Sequence, residues 1–263
     1  MLPVIQWQTP PNTLCLERQV HVWRISLDLP ASSIVRHWIN LADDERARAE
    51  RFCFRRDRER FIANRGLLRE ILSYYLDCDP AQLHFRYNPF GKPTLDQNVN
   101  KSAIHFSVSH SNTLGLIALA DTPEIGVDIE RIDPIHANMT IAEQFFSPRE
   151  VAVLRMLPRT LRIKAFYNCW TRKEAFVKAM GLGLSMSLQD FDVSIIPGEP
   201  VTLLRVHGDD RAAQRWELRE LFPEPGYAAA LAIAGHGRQV KCRGWSETSA
   251  RLRKEVKLSN TIE

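Results

Sequence analysis

Two carboxylates stand two positions apart near the middle of the chain, at Asp128 and Glu130. The run from Ile125 to Ile129 reads as a strand, in which positions i and i+2 point to the same side. Two neighbouring carboxylates repel unless a cation or a proton lies between them. Oxygen ligands of this kind suit Mg²⁺, which usually completes its shell with waters and a phosphate. The alternative is a solvated strand edge with two unrelated acids.

A third acid and a lysine lie on a predicted helix further along the chain. Glu174 and Lys178 are four positions apart, so they share one helix face and could meet a ligand together. The alternative is an exposed ion pair, which is common on helix surfaces and contributes only a few tenths of a kcal/mol.

A small polar cluster ends the predicted strand that begins at Ile104. Ser109 and His110 stand next to each other there, but no GxSxG elbow surrounds the serine. A histidine that donates a hydrogen bond to a phosphate therefore fits better than a serine nucleophile. The alternative is a histidine with a purely structural role in a turn.

Arginines are concentrated in the helical region that follows residue 43. They are Arg46, Arg48, Arg51, Arg55, Arg56, Arg58, Arg60, Arg65 and Arg69. The planar guanidinium group is the preferred clamp for a phosphate. Acids are interleaved with these arginines, so the alternative is a solvated surface that pairs with itself. Lys92, in the turn Gly91–Lys92–Pro93, is a further candidate for a phosphorylated ligand.

The elements that must position these groups follow from hydrophobic periodicity and breaker residues. Helices are predicted at 43–77, 141–157 and 159–180, and a turn at 87–93. Strands are predicted at 21–29, 104–109, 114–120, 125–129, 191–196, 201–206, 214–218 and 227–234. Residues 1–20 are predicted to be a poorly structured lead-in, and residues from 241 onward a loose extension or a short surface helix.

The order of elements predicts an α+β fold with two similar halves, because a long helix followed by strands occurs twice. We place the N-terminal half at 1–125, the C-terminal half at 126–240 and a basic C-terminal extension at 241–263. Each half carries a late strand of small apolar residues, 114–120 and 227–234.

Composition excludes several classes of protein. No apolar run approaches the roughly 20 residues of a membrane helix, and we expect no membrane association and no secretory signal. The 5 scattered cysteines predict neither a disulfide framework nor a zinc site, so a reducing cytoplasm is expected. Walker A and GxGxxG motifs are lacking. The net charge of +4 favours an acidic or phosphorylated partner without choosing among them.

Five motifs in order resemble the Sfp-type family of 4'-phosphopantetheinyl transferases. They are Gly91–Pro93, Phe106–Ser111, Gly126–Glu130, Phe145–Ser147 with Glu150, and Trp170–Lys178 with Gly181, Gly183 and Leu184. Residues 1–42 and 186–263 carry no matching motif. The resemblance implies two α+β halves related by a pseudo-twofold axis, with coenzyme A bound in the cleft between them.

The resemblance also implies roles for the acids and lysines. Asp128, Glu130 and Glu174 would bind Mg²⁺ together with the pyrophosphate of coenzyme A. Lys178 would lie on the pyrophosphate, and Lys92 near the adenine and ribose.

Further residues of the implied coenzyme A site bind the phosphate at the nucleotide end. His110 and Arg48 would contact the 3'-phosphate or nearby phosphate oxygens, and Ser109 belongs to the same site. Arg48 stands where the family often has lysine, and Arg46 or Arg51 could hold the role instead.

The reaction that the resemblance implies moves the 4'-phosphopantetheine group from coenzyme A to a serine hydroxyl of an acyl or peptidyl carrier protein. Mg²⁺ is required, 3',5'-ADP leaves, and Lys178 stabilises the developing charge. Glu174 would be the base, acting directly or through a metal-bound water. Monomeric action is expected.

Three other readings of the residues remain open. One is a different Mg²⁺-dependent enzyme that acts on a phosphorylated small molecule without a carrier protein. A second is a nucleic-acid-binding module, against which acids are mixed through the basic helix and no stacking aromatics line a basic strand face. We therefore expect no nucleic acid partner. The third is a catalytically silent relative, against which all three acids and Lys178 are present.

A basic rim would also steer an acidic carrier protein toward the site. Reversal of Arg69 or Arg172 to glutamate is therefore expected to slow transfer without a change in coenzyme A affinity.

Overall fold

The structure, a computed structural model, describes residues 7–8, 16–96, 103–206 and 210–246. The first part of the chain forms β1 (Gln19–Ser26), α1 (Ala31–Asn40), α2 (Asp43–Glu50), α3 (Arg55–Leu76), β2 (Phe85–Tyr87), β3 (Pro93–Leu95), β4 (His105–Ser111) and β5 (Leu114–Ala120). The second part forms β6 (Ile125–Arg131), α4 (Met139–Phe145), α5 (Pro148–Met156), α6 (Arg159–Met180), β7 (Phe191–Val193), β8 (Leu203–Val206), α7 (Asp210–Ala213), β9 (Trp216–Leu221), β10 (Tyr227–Ala234) and β11 (Gln239–Gly244).

Two sheets repeat one connectivity. In the first sheet β5 lies between β1 and β4, and in the second β10 lies between β6 and β9, with every one of these pairs antiparallel. Each half runs through a strand, a 22-residue helix (α3 or α6), a small two-stranded sheet and a hairpin that pairs with the opening strand. The prediction of an α+β fold with two similar halves is therefore confirmed, while the division at residue 125 stays a prediction.

The first half contains a buried ion cluster that ties α2 to α3. Glu45 lies in the first turn of α2, and its carboxylate accepts from Arg69 Nε at 2.7 Å and from the Ala42 backbone N–H at 3.0 Å. The Arg69 guanidinium also lies 5.0 Å from the centre of the Phe85 ring. Because a buried charge is tolerated only when it is paired and hydrogen-bonded, this cluster fixes how α2 and β2 sit on α3.

The second half repeats this cluster with different residues. Glu150, in the first turn of α5, accepts from Lys173 Nζ at 2.9 Å and from the Ser147 backbone N–H at 2.9 Å. The Lys173 ammonium lies 4.2 Å from the centre of the Phe191 ring. Lys173 and Arg69 are each the fifteenth residue of a 22-residue helix. The repeat therefore extends from connectivity to side-chain chemistry.

The predicted docking role of two arginines is wrong. Arg69 and Arg172 are each only 1% exposed, because their guanidinium groups are taken up by buried ion pairs. Arg172 donates to Glu220 at 3.2 Å and to the Ser194 carbonyl at 2.5 Å. Neither side chain can meet a carrier protein, so reversal of its charge would test folding and not docking.

The two sheets share one apolar core. Alternate residues of β6, namely Ile125, Val127 and Ile129, are buried in the same cluster as Val22 of β1 and Leu116 of β5. The other face of β6 therefore carries Gly126, Asp128 and Glu130.

Helix α6 lies directly on that other face of β6. A Cβ added at Gly126 would overlap the Ala175 carbonyl oxygen and the Ala179 backbone nitrogen. Only a residue without a side chain therefore allows this approach. The acids of β6 consequently lie beside the face of α6 that carries Glu174 and Lys178.

Several predicted bounds differ from the structure. The predicted helix at 43–77 is two helices with a break at 51–54, and the helix at 141–157 is divided where Ser147 caps α5 and Pro148 begins it. Strands at 114–120 and 227–234 have the predicted bounds. Helix α1 was not predicted.

Both predicted ends of the chain differ where they are described. The extension from 241 onward is wrong as far as Gly244, because β11 pairs in parallel with β1 and completes the first sheet. The lead-in is wrong at Gln19 and Val20, which belong to β1. The remainder of both predictions falls largely on residues 1–15 and 247–263, which lie almost wholly outside the described residues. Within the described ranges, no helix is both long and apolar enough to cross a membrane.

Substitution Gly126→Ala tests the close approach of α6 to β6. The added methyl group has backbone atoms in its way, so the helix must move, and we expect a loss of about 3 kcal/mol of unfolding free energy. Denaturant titration gives this quantity. Gly244→Ala is the matched control, since its Cβ meets nothing within 4 Å, and it should change stability by less than about 0.5 kcal/mol. Equal effects of the two changes would contradict the packing described.

Candidate active site

Strands β4 and β6 meet through serine side chains. Three serines alternate along β4, and their hydroxyl oxygens accept hydrogen bonds from backbone N–H groups of β6. The bonds run from Val127 to Ser107 at 3.1 Å, from Ile129 to Ser109 at 3.4 Å and from Arg131 to Ser111 at 3.0 Å. We call these three residues the serine ladder and the line of contact the seam. The ladder joins the edges of the two sheets without backbone pairing between them.

Two rungs of the serine ladder also bind the carboxylates of β6. Ser109 Oγ donates to Asp128 Oδ1 at 2.8 Å, and Ser111 Oγ donates to Glu130 Oε2 at 2.8 Å. The two acids therefore lie on one side of β6, as their spacing predicted. They are also anchored to the opposite half of the molecule.

Helix α6 brings a cation to the same place. Lys178 Nζ lies 2.6 Å from Asp128 Oδ1 and 2.8 Å from Ser109 Oγ. Lys178 thus pairs with Asp128 across the α6–β6 contact, where an i, i+4 pair with Glu174 was the alternative drawn from spacing. Glu174 lines the same small pocket as Asp128, Glu130 and Lys178.

Burial and mutual repulsion act on these acids together. Burial, and secondly the charge of Asp128, raise the pKa of Glu130 to about 7, although the hydrogen bond from Ser111 opposes the shift. Burial and the charge of Asp128 likewise raise the pKa of Glu174, while Lys178 opposes this. Burial is the larger cause of both shifts and repulsion adds to it, so these carboxyl groups are candidates for a functional site.

The donor set fits a hard divalent cation. Asp128 Oδ2 is buried and has no hydrogen-bond partner among the described residues, which is costly unless something else satisfies it. Carboxylate oxygens are the ligands that Mg²⁺ takes. As they stand, however, no three acidic, histidine or cysteine side chains of the described residues are arranged to hold a metal ion. The Lys178 ammonium occupies the position next to Asp128 Oδ1.

A cleft of about 760 Å³ opens next to these groups and is lined by both halves of the molecule. Its walls are mainly apolar, and Glu174 and Lys178 face it from α6. The apolar walls include Phe90, Phe106, Val108, Phe145, Trp170 and Val177. A largely apolar cleft with a few convergent charged groups is the usual form of a small-molecule site.

His110 lies between Ser109 and Ser111 near the end of β4, on the strand where it was predicted. Desolvation and the charges of Lys178 and Arg48 lower the pKa of His110, so three groups predicted for one site do lie within electrostatic reach. The Asn64 amide approaches His110 Nδ1 at 3.5 Å. The Arg48 guanidinium lies 5.4 Å from the centre of the Phe61 ring.

The alternatives to Arg48 are placed differently. Arg46 donates to the carbonyls of Trp38 at 3.3 Å and Ile39 at 2.8 Å, so it caps the C-terminal end of α1. Arg51 is exposed and lines a shallow surface pocket together with Arg48. Of the three arginines, Arg48 is the one whose charge acts on His110.

The Lys92 ammonium lies where the two halves meet, and it binds backbone carbonyls there and not a carboxylate of the described residues. It donates to the Ile125 carbonyl at 3.1 Å and to the carbonyls of Pro123 and Ala179 at 3.4 Å. Burial lowers the pKa of Lys92 to about 8. Lys92 also lines the cleft beside Gly91 and Pro93. Its place next to a bound nucleotide stays a prediction.

Sequence reasoning missed the groups that join β4 to β6 and that let α6 approach β6. Ser107 and Ser111 were treated only as part of a polar cluster, and Gly126 only as part of a motif. The alternation of serines at 107, 109 and 111 was the available signal, because it places three hydroxyls on one side of a strand. Which strand they would face depended on the tertiary fold.

Comparison with known proteins identifies the family. Residues 124–232 match the model of the 4'-phosphopantetheinyl transferase superfamily, and residues 31–122 match that of the 4'-phosphopantetheinyl transferase N-terminal region. The 4'-phosphopantetheinyl transferase HetI of Nostoc sp. (strain PCC 7120 / SAG 25.82 / UTEX 2576) is 41% identical over 232 residues, which cover 88% of this chain and 94% of that relative.

Other relatives carry the same description. A putative 4'-phosphopantetheinyl transferase, slr0495 of Synechocystis sp. (strain ATCC 27184 / PCC 6803 / Kazusa), is 38% identical over 200 residues, 76% of this chain and 78% of that relative. The 4'-phosphopantetheinyl transferase Sfp of Bacillus subtilis (strain 168) is 31% identical over 155 residues, 59% of this chain and 66% of that relative.

The chain belongs to the 4'-phosphopantetheinyl transferase family. It is accordingly an enzyme that transfers the phosphopantetheine group, and the resemblance drawn from its motifs is confirmed.

Proposed function

We propose that the chain transfers 4'-phosphopantetheine from coenzyme A to a serine hydroxyl of an apo acyl or peptidyl carrier protein, with Mg²⁺ as cofactor and 3',5'-ADP as the leaving product. The observation that carries this proposal is the group of three acids and one lysine at the seam, beside a cleft lined by both halves. A pyrophosphate needs a divalent cation and a fixed positive charge, and this group can supply a place for both.

Asp128, Glu130 and Glu174 would hold the Mg²⁺ ion. The unpartnered Oδ2 of Asp128 supports this assignment most directly. When bound there, Mg²⁺ would neutralise the pyrophosphate oxygens on which charge develops. Lys178 contributes the fixed positive charge of this chain, held in the site by α6.

The transfer itself is an in-line substitution at phosphorus. The serine oxygen of the carrier forms a bond to the β-phosphorus of coenzyme A, and the bond from that phosphorus to the bridging oxygen breaks. The electron pair leaves with 3',5'-ADP, and the hydroxyl proton passes to the Glu174 carboxylate, directly or through water. Most of the acceleration then comes from the positioning of reactants and from electrostatic stabilisation.

The nucleotide end of coenzyme A would lie toward His110 and Arg48. Both can donate to the 3'-phosphate, and Arg48 offers a planar guanidinium for this purpose. Ser109 belongs to the same site through its contacts with Asp128 and Lys178, and Lys92, which lines the cleft, would lie near the adenine and ribose.

The proposal includes action as a monomer in a reducing cytoplasm. Cys53, Cys169 and Cys242 are free thiols, which supports a compartment without disulfide formation. Cys15 lies outside the described residues.

Mass spectrometry of an apo carrier protein tests the reaction. Incubation with the enzyme, coenzyme A and Mg²⁺ should add the mass of one phosphopantetheine group to the carrier, and EDTA should prevent this. Asp128→Ala should slow transfer about 100-fold or more, because a group that stabilises developing charge is lost. Glu224→Ala, which changes an exposed acid of the β9–β10 turn, is the control and should transfer at the wild-type rate.

Failure to modify several unrelated carriers, by a folded enzyme that binds coenzyme A, would contradict the proposed acceptor. A Mg²⁺-dependent reaction of a phosphorylated small molecule without a carrier would then be favoured.

A matched pair of arginine variants tests the site of the 3'-phosphate. Arg48→Gln should reduce the preference for coenzyme A over 3'-dephospho-coenzyme A about 10-fold or more, because a charge-assisted hydrogen bond is lost. Arg46→Gln should leave that preference unchanged and lower only stability, because Arg46 caps α1. Isothermal titration calorimetry with both ligands measures the ratio. Equal loss of preference in the two variants would contradict the assignment of Arg48.

A further inference from the structure

Two rungs of the serine ladder share one pair of hydrogen bonds, to which Ser109 adds a bond from Lys178. Ser109 accepts from the N–H of Ile129 and donates to the carboxylate of the preceding residue, Asp128. In the same way, Ser111 accepts from the Arg131 N–H at 3.0 Å and donates to Glu130 Oε2 at 2.8 Å. Each hydroxyl is thus inserted between a backbone N–H and the side chain one residue before it.

This arrangement fixes the direction of each hydroxyl proton. A serine hydroxyl has one proton and two lone pairs, and a neutral hydroxyl rotates freely unless its partners select one rotamer. At Ser111 the N–H of Arg131 takes a lone pair, so the proton is left for Glu130. Since Ser111 is fixed to the first sheet through β4, the position of Glu130 depends on the seam and not only on β6.

Glu130 needs such an anchor more than the other acids. Its side chain has three rotatable bonds, and it is subject to repulsion from Asp128 and Glu174. Asp128 is shorter and has Lys178 as a partner in addition to Ser109. Ser111 is the side chain that donates to Glu130 within the described residues.

We infer that Ser111 is a positioning residue that holds the Glu130 carboxylate in the orientation required to bind the divalent cation. The inference rests on the proposed function, because it assumes that Glu130 is a metal ligand. It assigns to Ser111 an effect on metal affinity that a serine with only a structural role would not have. Outer partners of this kind typically change metal affinity 10- to 100-fold.

The first rung of the ladder provides a matched control. Ser107 accepts from the Val127 N–H at 3.1 Å, nearly the same length as the bond to Ser111. The residue before Val127 is Gly126, which has no side chain for the hydroxyl to bind. Ser107→Ala therefore removes the same kind of backbone hydrogen bond as Ser111→Ala but leaves every carboxylate untouched.

The experiment measures binding of Mn²⁺ by electron paramagnetic resonance, with saturating coenzyme A, in wild type, Ser111→Ala and Ser107→Ala. Ser111→Ala should raise the Mn²⁺ dissociation constant about 10-fold or more. Ser107→Ala should remain within about 2-fold of wild type, although its thermal midpoint should also fall because a buried backbone hydrogen bond is lost. Ser111→Thr, which retains the hydroxyl, should restore affinity.

Three results would overturn the inference. One is equal Mn²⁺ affinity in wild type and Ser111→Ala, and another is equal weakening by the two alanine variants. If Ser111→Ala does not fold, Ser111→Cys replaces it, because a thiol is only a weak hydrogen-bond donor. Unchanged Mn²⁺ affinity in Ser111→Cys is the third result. Lack of any Mn²⁺ binding by wild type would instead show that the proposed metal site itself is wrong, and the inference would fail with it.

Discussion

The close approach of α6 to β6 is the constraint on which the site depends. Backbone atoms of Ala175 and Ala179 occupy the space where a side chain at position 126 would lie. This contact brings Lys178 within 2.6 Å of Asp128. If α6 lay further from β6, Glu174 and Lys178 on the helix would be separated from Asp128 and Glu130 on the strand. The glycine therefore sets the distance at which opposite charges meet in the site.

At the seam, the two sheets meet at their edges and still leave room for a site. Backbone pairing of β4 with β6 would close the two sheets into one and bury the strand ends. The serine ladder bridges the edges with side chains instead, and the two hydroxyls at Ser109 and Ser111 remain able to bind carboxylates. The same residues thus join the halves and orient the acids.

This arrangement holds more negative charge than it can satisfy alone. Asp128 Oδ2 is without a partner among the described residues, and the pKa of Glu130 is raised to about 7. Buried groups of this kind cost stability, and they are expected where a ligand completes the site. The fully paired clusters around Glu45 and Glu150 are a contrast within the same chain. Those clusters leave no carboxylate oxygen unpaired, whereas the seam does, and this difference supports the proposed binding role of the seam.

Local pattern was sufficient for the parts of the site that lie on one element. The shared side of Asp128 and Glu130 follows from strand periodicity, and the strands at 114–120 and 227–234 follow from their apolar runs. Local pattern could not predict which charged side chains are buried. Arg69 and Arg172 look like surface charges in a basic helix, yet tertiary partners far along the chain enclose them. Pairing of β11 with β1 likewise joins residues more than 200 positions apart, which no local signal reports.

The most direct test of the account is the location of the metal ion. Crystals of the enzyme with coenzyme A and Mn²⁺ would reveal the ion by its anomalous scattering. The account predicts one strong peak at the seam, in contact with the carboxylates of Asp128, Glu130 and Glu174 and with the pyrophosphate. A peak elsewhere, or bound coenzyme A with Lys178 still on Asp128 and no metal beside it, would contradict it.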